Sequence, residues 1–244
     1  MGYDGRTKGT KITVKNGTEI VSTIVTQMPK KDSLQIWYKP LKVDSLQVLV
    51  ENDKYTKEFI TKIKNLKADT LSISADFSGN LPLRERFTLT SFIPLVKFDK
   101  SKISIQNKDS IAVPFETEYD DMKQKLYLNF NKESLERYKI LLMPGALTDF
   151  YEKENDTLKY NITTKNASDY GNLRVILENV KRFPIIVELT DKDGKVTATE
   201  YSENETKIEF LALEPALYTL RMIYDDNKNK IWDTGSYLEK RQSE

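Results

Sequence analysis

The feature that most constrains this chain is an alternation of apolar and polar residues with period two, repeated along most of its length. That period puts every second side chain on one face of an extended strand, so one face can be buried while the other meets water. Lys11-Ile12-Thr13-Val14-Lys15 alternates and runs into Asn16-Gly17, a pair favoured in two-residue hairpin turns. Residues 19–26 supply the returning strand. The pattern recurs at residues 33–38, 45–50, 70–75, 102–105, 111–115, 125–130, 138–142 and 159–163. A last series covers 173–177, 185–190, 195–201, 207–210 and 217–224, with a turn at Asp191-Lys192-Asp193-Gly194. No long stretch keeps a helical period; residues 147–153, after Pro144-Gly145, are expected to form one helical turn.

Short strands spaced by roughly 8–12 residues, with turn residues between them, read as sandwiches or barrels. The expected fold class is all-β, built of tandem antiparallel β-sandwich domains. Two stretches look like linkers: residues 82–94, with charges and prolines, and the polar residues 163–171. They predict three pieces, a β-rich domain at 1–84 and two β-sandwiches at 85–166 and 167–244, which the resemblance described below implies to be Ig-like and transthyretin-like.

Composition then removes whole classes of chemistry. The chain has 244 residues with no histidine and no cysteine. That excludes His-based triads, His/Cys zinc sites, thiol nucleophiles and disulfides. Ser91 and Ser101 have no imidazole to activate them. The 38 basic and 37 acidic residues are interspersed, for a net charge of +1, so no basic stripe forms to hold nucleic acid. No segment approaches the 18 apolar residues of a membrane-spanning helix. Met1-Gly2-Tyr3-Asp4 lacks the charged and apolar regions of a signal peptide, which fits either a cytoplasmic protein or a piece of a longer exported one; the segments described below favour the second.

Carboxylate chemistry survives the exclusions. Glu118 with Asp120 and Asp121, or Glu152 with Glu154, are candidates for a glycosidase dyad, but their spacing fits solvated turns better. Trp37, Tyr38 and Trp232 are expected to pack in cores or between domains rather than form a carbohydrate platform.

The most specific motif is Asp225-Asp226-Asn227-Lys228-Asn229-Lys230-Ile231-Trp232-Asp233. With Asp225 as position 1, Asn227, Asn229 and Asp233 fall at positions 3, 5 and 9, and Ile231 offers its carbonyl at position 7. That is the first part of an EF-hand-type calcium loop, in which hard oxygen donors converge from a tight turn. Lys230 replaces the usual glycine at position 6, and Ser236 replaces the closing glutamate at position 12. The alternative is an Asx-rich turn whose side chains bond their own backbone. Calcium is the cofactor this motif predicts, with the weak affinity of extracellular modules, ~10⁻⁴ to 10⁻³ M.

Five segments read Asp, hydroxyl residue, aliphatic: Asp32-Ser33-Leu34, Asp44-Ser45-Leu46, Asp69-Thr70-Leu71, Asp109-Ser110-Ile111 and Asp156-Thr157-Leu158. The pattern resembles the O-glycosylation sequon of exported Bacteroidetes proteins, and is also a natural turn exit into a strand.

Residues 86–244 resemble the C-terminal half of Ig-like-domain envelope proteins of Bacteroidetes, many of them lipoproteins. The resemblance is carried by Phe98-Asp99-Lys100-Ser101-Lys102-Ile103, Met143-Pro144-Gly145-Ala146-Leu147-Thr148-Asp149-Phe150, Asn172-Leu173-Arg174-Val175 and Leu213-Glu214-Pro215-Ala216-Leu217-Tyr218-Thr219-Leu220-Arg221. The last piece is also similar to the transthyretin-like, collagen-adhesin B-type sandwich. There a Pro-Gly-Xaa-Tyr consensus precedes a strand; Pro215-Ala216-Leu217-Tyr218 stands here. What the resemblance implies is location in a cell envelope, periplasmic or at the cell surface. The expected role is a non-enzymatic scaffold, spacer or adhesion module with a protein or glycan partner. A carbohydrate-binding module and a carboxylate-dependent glycoside hydrolase remain the alternatives.

Overall fold

The structure, a computed structural model, describes residues 10–28, 33–52, 55–63, 70–233 and 235. Asp32, Asp69, Ser236 and the opening Met1-Gly2-Tyr3-Asp4 lie outside the described residues. Everything described is strand, turn or loop, apart from two single-turn 3₁₀ segments at Lys100–Lys102 and Ala167–Asp169. The fold is all-β, in multiple antiparallel sheets. No helix among the described residues is long and apolar enough to cross a membrane.

Two compact units emerge. The first comprises residues 1–81 and 85–164, and the second residues 82–84 and 165–244.

In the first unit, β1 (Lys11–Asn16) pairs with β2 (Glu19–Val21). The register sets Asn16 opposite Glu19, so the two-residue loop is Gly17-Thr18 rather than the expected Asn16-Gly17. Gly17 has φ +62°, and a glycine in the left-handed region at the first loop position suits a II′-type hairpin. The strand expected at 19–26 divides at Ser22. Its second part, β3 (Thr23–Gln27), pairs instead with β4 (Leu34–Tyr38). β5 (Ser45–Asn52) and β6 (Tyr55–Lys62) complete the sheet β2-β1-β5-β6.

The rest of this unit is a sandwich. One sheet has the order β12-β13-β9-β7, from β7 (Ile73–Ala75), β9 (Phe87–Ser91), β12 (Phe115–Asp120) and β13 (Lys125–Phe130). The other has the order β11-β14-β16-β8, from β8 (Gly79–Asn80), β11 (Ile103–Gln106), β14 (Arg137–Leu142) and β16 (Leu158–Thr163). Phe87, Leu89, Leu126 and Leu128 from the first sheet share a core with Ile103, Ile105, Tyr138, Ile140, Leu142 and Ile162 from the second. β10 (Leu95–Phe98) pairs with β15 (Leu147–Asp149). The predicted helical turn at 147–153 is therefore a buried strand followed by a turn. Asp149 Oδ1 accepts the backbone N–H groups of Tyr151 and Lys153, each at 2.8 Å. The expected linker 82–94 contains β9, which lies between β13 and β7 in its sheet with four of its five residues buried.

The β3–β4 hairpin docks on this sandwich through Trp37, which is buried with Ile93 and Phe150. The backbone N–H of Gln27 donates to the Met122 carbonyl at 2.8 Å. Trp37 also meets Phe92 and Tyr151 edge-on, at 5.8 and 6.5 Å between centroids.

In the second unit, β17 (Gly171–Ile176) pairs with β20 (Lys207–Leu213). β18 (Ile185–Thr190) lies between β19 (Val196–Ser202) and β21 (Thr219–Tyr224). Ile185, Val187, Leu189, Ala198, Ile208, Phe210 and Leu213 form its core. Residues 82–84 join this unit through Arg84, which pairs with Glu200 at 2.6 Å and lies over the Phe210 ring.

Candidate functional site

The Asp225–Asp233 loop follows β21 directly and starts from a fixed point: the Asp225 N–H donates to the Pro184 carbonyl at 3.1 Å. Asp225 is fully buried and Asp233 is 7% exposed. Both Asp225 oxygens accept backbone N–H groups, Oδ1 from Asn229 at 3.1 Å and Oδ2 from Lys230 at 2.9 Å. Asn227 Oδ1 accepts from the Asn229 N–H at 3.0 Å, and Asn229 Oδ1 from the Ile231 N–H at 2.8 Å. The amide groups of Asn227 and Asn229 both donate to Asp233 Oδ2, the latter at 2.7 Å. All five residues read from the sequence are thus brought into one loop, and Asn229 ties the two carboxylates together.

Lys228 and Lys230 adopt φ +59° and +62°. Lys230 stands where glycine is usual and takes the left-handed conformation that glycine would take freely, at a cost of ~1 kcal/mol. Its ammonium lies over the Tyr201 ring, 4.8 Å from the centroid. Burial pushes the Tyr201 phenol up, and the charge and hydrogen bond of Asp225 add to that shift. The ion pair at this loop belongs to the neighbouring Asp226, which takes Arg182 bidentately at 2.7 and 2.9 Å; that contact holds the Asp226 carboxyl below its usual range.

The loop carries two buried carboxylates, two amides and a peptide carbonyl, oxygen donors of the kind a hard cation requires, with both amides here turning their N–H groups toward Asp233. Among the described residues no three Asp, Glu, His or Cys side chains gather to hold a metal, so calcium here would rely on Asn227, Asn229 and the Ile231 carbonyl to complete its shell. The same hydrogen bonds also make a closed Asx-rich turn. Both readings of the motif therefore share one geometry.

The candidate glycosidase carboxylates are placed differently. Glu118 and Asp120 lie on β12, not in a turn. Glu118 pairs with Arg86 at 2.7 Å and Asp120 with Lys123 at 3.4 Å. Glu152 pairs with Lys39, and that contact pulls its pKa down. A general acid needs the opposite shift. Trp37 is core, as expected, whereas Trp232 is 39% exposed with the Arg221 guanidinium 5.0 Å from its ring.

A feature missed in the sequence is a groove of about 250 Å³ on the β7–β9–β13–β12 sheet, lined by Arg86, Glu116, Asn129, Phe130, Asn131 and Lys132. Its signal was present: alternation through 115–120 and 125–130 puts Glu116, Glu118, Tyr127 and Asn129 on one face.

No family model matches the chain, and no curated protein does. The resemblance to Bacteroidetes Ig-like envelope proteins rests on the sequence segments alone. Among solved structures the chain is similar to SGBP-B of the Bacteroides ovatus mixed-linkage glucan utilization locus, solved with a mixed-linkage heptasaccharide. The likeness covers 83% of this chain and 60% of that one, at 9% identity and a TM-score of 0.26. At that score it transfers neither fold nor function.

Proposed function

We propose that this chain is a non-catalytic scaffold or spacer module of a bacterial cell envelope, built of tandem β-sandwich domains. The observation that carries the reading is where its charged side chains are used. Glu118, Asp120 and Glu152, three of the five candidate dyad carboxylates, are each held by a cation. An acid catalyst of a glycosidase is instead kept protonated by burial or by a second carboxylate. The sequence segments shared with envelope proteins support the location. In this reading the Asp225 loop binds calcium weakly and stiffens the second unit.

A second reading, a carbohydrate-binding module, is favoured by the groove beside Arg86, where amide, guanidinium and carboxylate groups share one hollow. The location is tested by surface proteolysis of intact cells that make the native full-length protein. An envelope module exposed at the surface loses its epitope to added protease and sediments with the envelope; recovery in the cytosolic fraction would overturn the reading.

A further inference from the structure

The geometry points to a saccharide-binding site in the groove on the outer face of the β7–β9–β13–β12 sheet; this rests on the carbohydrate-binding reading above. Leu126 and Leu128 turn into the core, so Tyr127 and Asn129 face outward. The β12–β13 register sets Glu116 opposite Asn129 and Glu118 opposite Tyr127. Arg86 precedes Phe87, the partner of Leu128, and so enters the same row from β9. Its guanidinium lies 3.7 Å from the Tyr127 ring centroid and donates to Glu118 at 2.7 Å, which fixes its plane. Lys132 donates to the Glu85 carbonyl at 2.7 Å and packs over Phe130, and burial lowers its pKa.

The groove therefore mixes donors and acceptors carried by β12 and β13 and by residues directly flanking β9 and β13. Glu116 supplies a carboxylate that also accepts from Lys100 at 2.9 Å, Arg86 and Lys132 supply cationic N–H groups, and Asn129 and Asn131 supply amides. The Asn129 Oδ1 is buried with no hydrogen-bond partner among the described residues, a cost that a small shift toward a ligand hydroxyl would relieve. A hydroxyl both donates and accepts, so a ring bearing several of them matches a wall of this mixed kind. A simple anion does not match, because Glu116 and Glu118 stand beside the cations. The aromatic faces of Tyr127 and Phe130 are covered by Arg86 and Lys132, so recognition comes through polar edges.

The test follows amide shifts of the ¹⁵N-labelled whole chain during titration with the methyl β-glycosides of glucose, galactose and xylose. The same protein is run by native electrophoresis through gels containing soluble β-glucan or xylan. Saturable shifts centred on the Asn129 and Asn131 side-chain amides, weakened about tenfold in Asn129→Ala and again in Asn131→Ala, are expected; tenfold corresponds to about 1.4 kcal/mol, the scale of one or two hydrogen bonds. Asn129→Ala removes an unsatisfied buried acceptor, so its melting temperature should not fall. Retention by a polysaccharide without shifts at these amides would overturn the groove and leave the carbohydrate-binding reading intact. Absence of both shifts and retention would overturn both. Shifts with inorganic phosphate and none with the glycosides would make the groove an anion site and overturn the assignment.

Discussion

Trp37 donates its indole N–H to the hydroxyl of Thr26 at 2.9 Å, and both residues are buried. The two belong to opposite strands of the β3–β4 hairpin. Gln124, with its amide oriented to satisfy both sides, accepts from the Thr26 hydroxyl at 2.8 Å and donates to the carbonyls of Ser91 and Phe92 at 2.9 and 2.8 Å. One buried chain of hydrogen bonds thus fastens the hairpin to the sandwich. In such a network, losing one member leaves the others unpartnered.

Thr26→Val keeps the shape and removes the hydroxyl. It should destabilise the first unit by about 1–3 kcal/mol, the cost of leaving buried polar groups unmatched. Trp37→Ala should cost more, about 3–5 kcal/mol, because it also opens a cavity. Denaturant titrations followed by near-UV circular dichroism measure both, and equal stability of Thr26→Val and the parent would contradict the network.

A second, half-buried contact orders the other unit. Glu188, on the central strand β18, accepts from the Arg221 Nε at 2.5 Å across the β18–β21 pair. Arg221→Met should destabilise by ~1–3 kcal/mol, a value reduced from that of a fully buried pair because Arg221 is partly exposed. Removing both partners as Glu188→Leu with Arg221→Met should recover most of the loss in a double-mutant cycle.

Acid should loosen the first unit through Glu136. Its carboxylate is buried in the fold and accepts the N–H of Arg137 at 2.8 Å and of Lys108 at 3.1 Å, with the Lys108 ammonium nearby. The Arg137 N–H leads in holding its pKa below the ordinary range. A depressed carboxylate contributes stability that is complete above the unfolded value, ~4.3, and is lost as pH falls through the folded one. Glu136→Gln should flatten the acid limb of stability against pH and leave the neutral region's slope unchanged.

Much of the fold was legible in the sequence, because alternation survives wherever one strand face meets water. It failed where that condition failed. β9, Phe87-Thr88-Leu89-Thr90-Ser91, lies between β13 and β7 with Thr88 and Ser91 buried as well as Phe87 and Leu89, so alternation is blurred and the prolines and charges nearby read as a linker. β15 is three buried residues, too short to show any period. β6 carries polar residues on both faces and is largely exposed. The five loop residues from Asp225 to Asp233 were legible because turn chemistry is local. For the groove at Asn129 the alternation showed which residues share a face, but not that they meet, which needs the register of three strands that are distant in sequence.

The calcium expectation is tested by thermal unfolding in EDTA and in millimolar calcium. At tenfold above its dissociation constant, a ligand bound only to the folded state stabilises by about 1.4 kcal/mol. The melting temperature of the second unit should rise with calcium, and the rise should vanish in Asp225→Ala and in Asp233→Asn. An equal rise in parent and variants would place any calcium elsewhere.

The central claim is that the carboxylates of this chain hold structure rather than perform chemistry. Release of reducing ends from soluble polysaccharides by the purified whole chain tests it most directly. The account predicts release no greater than in a protein-free control, for the parent and for Glu118→Gln and Glu152→Gln alike. Release by the parent that either substitution abolishes would contradict it.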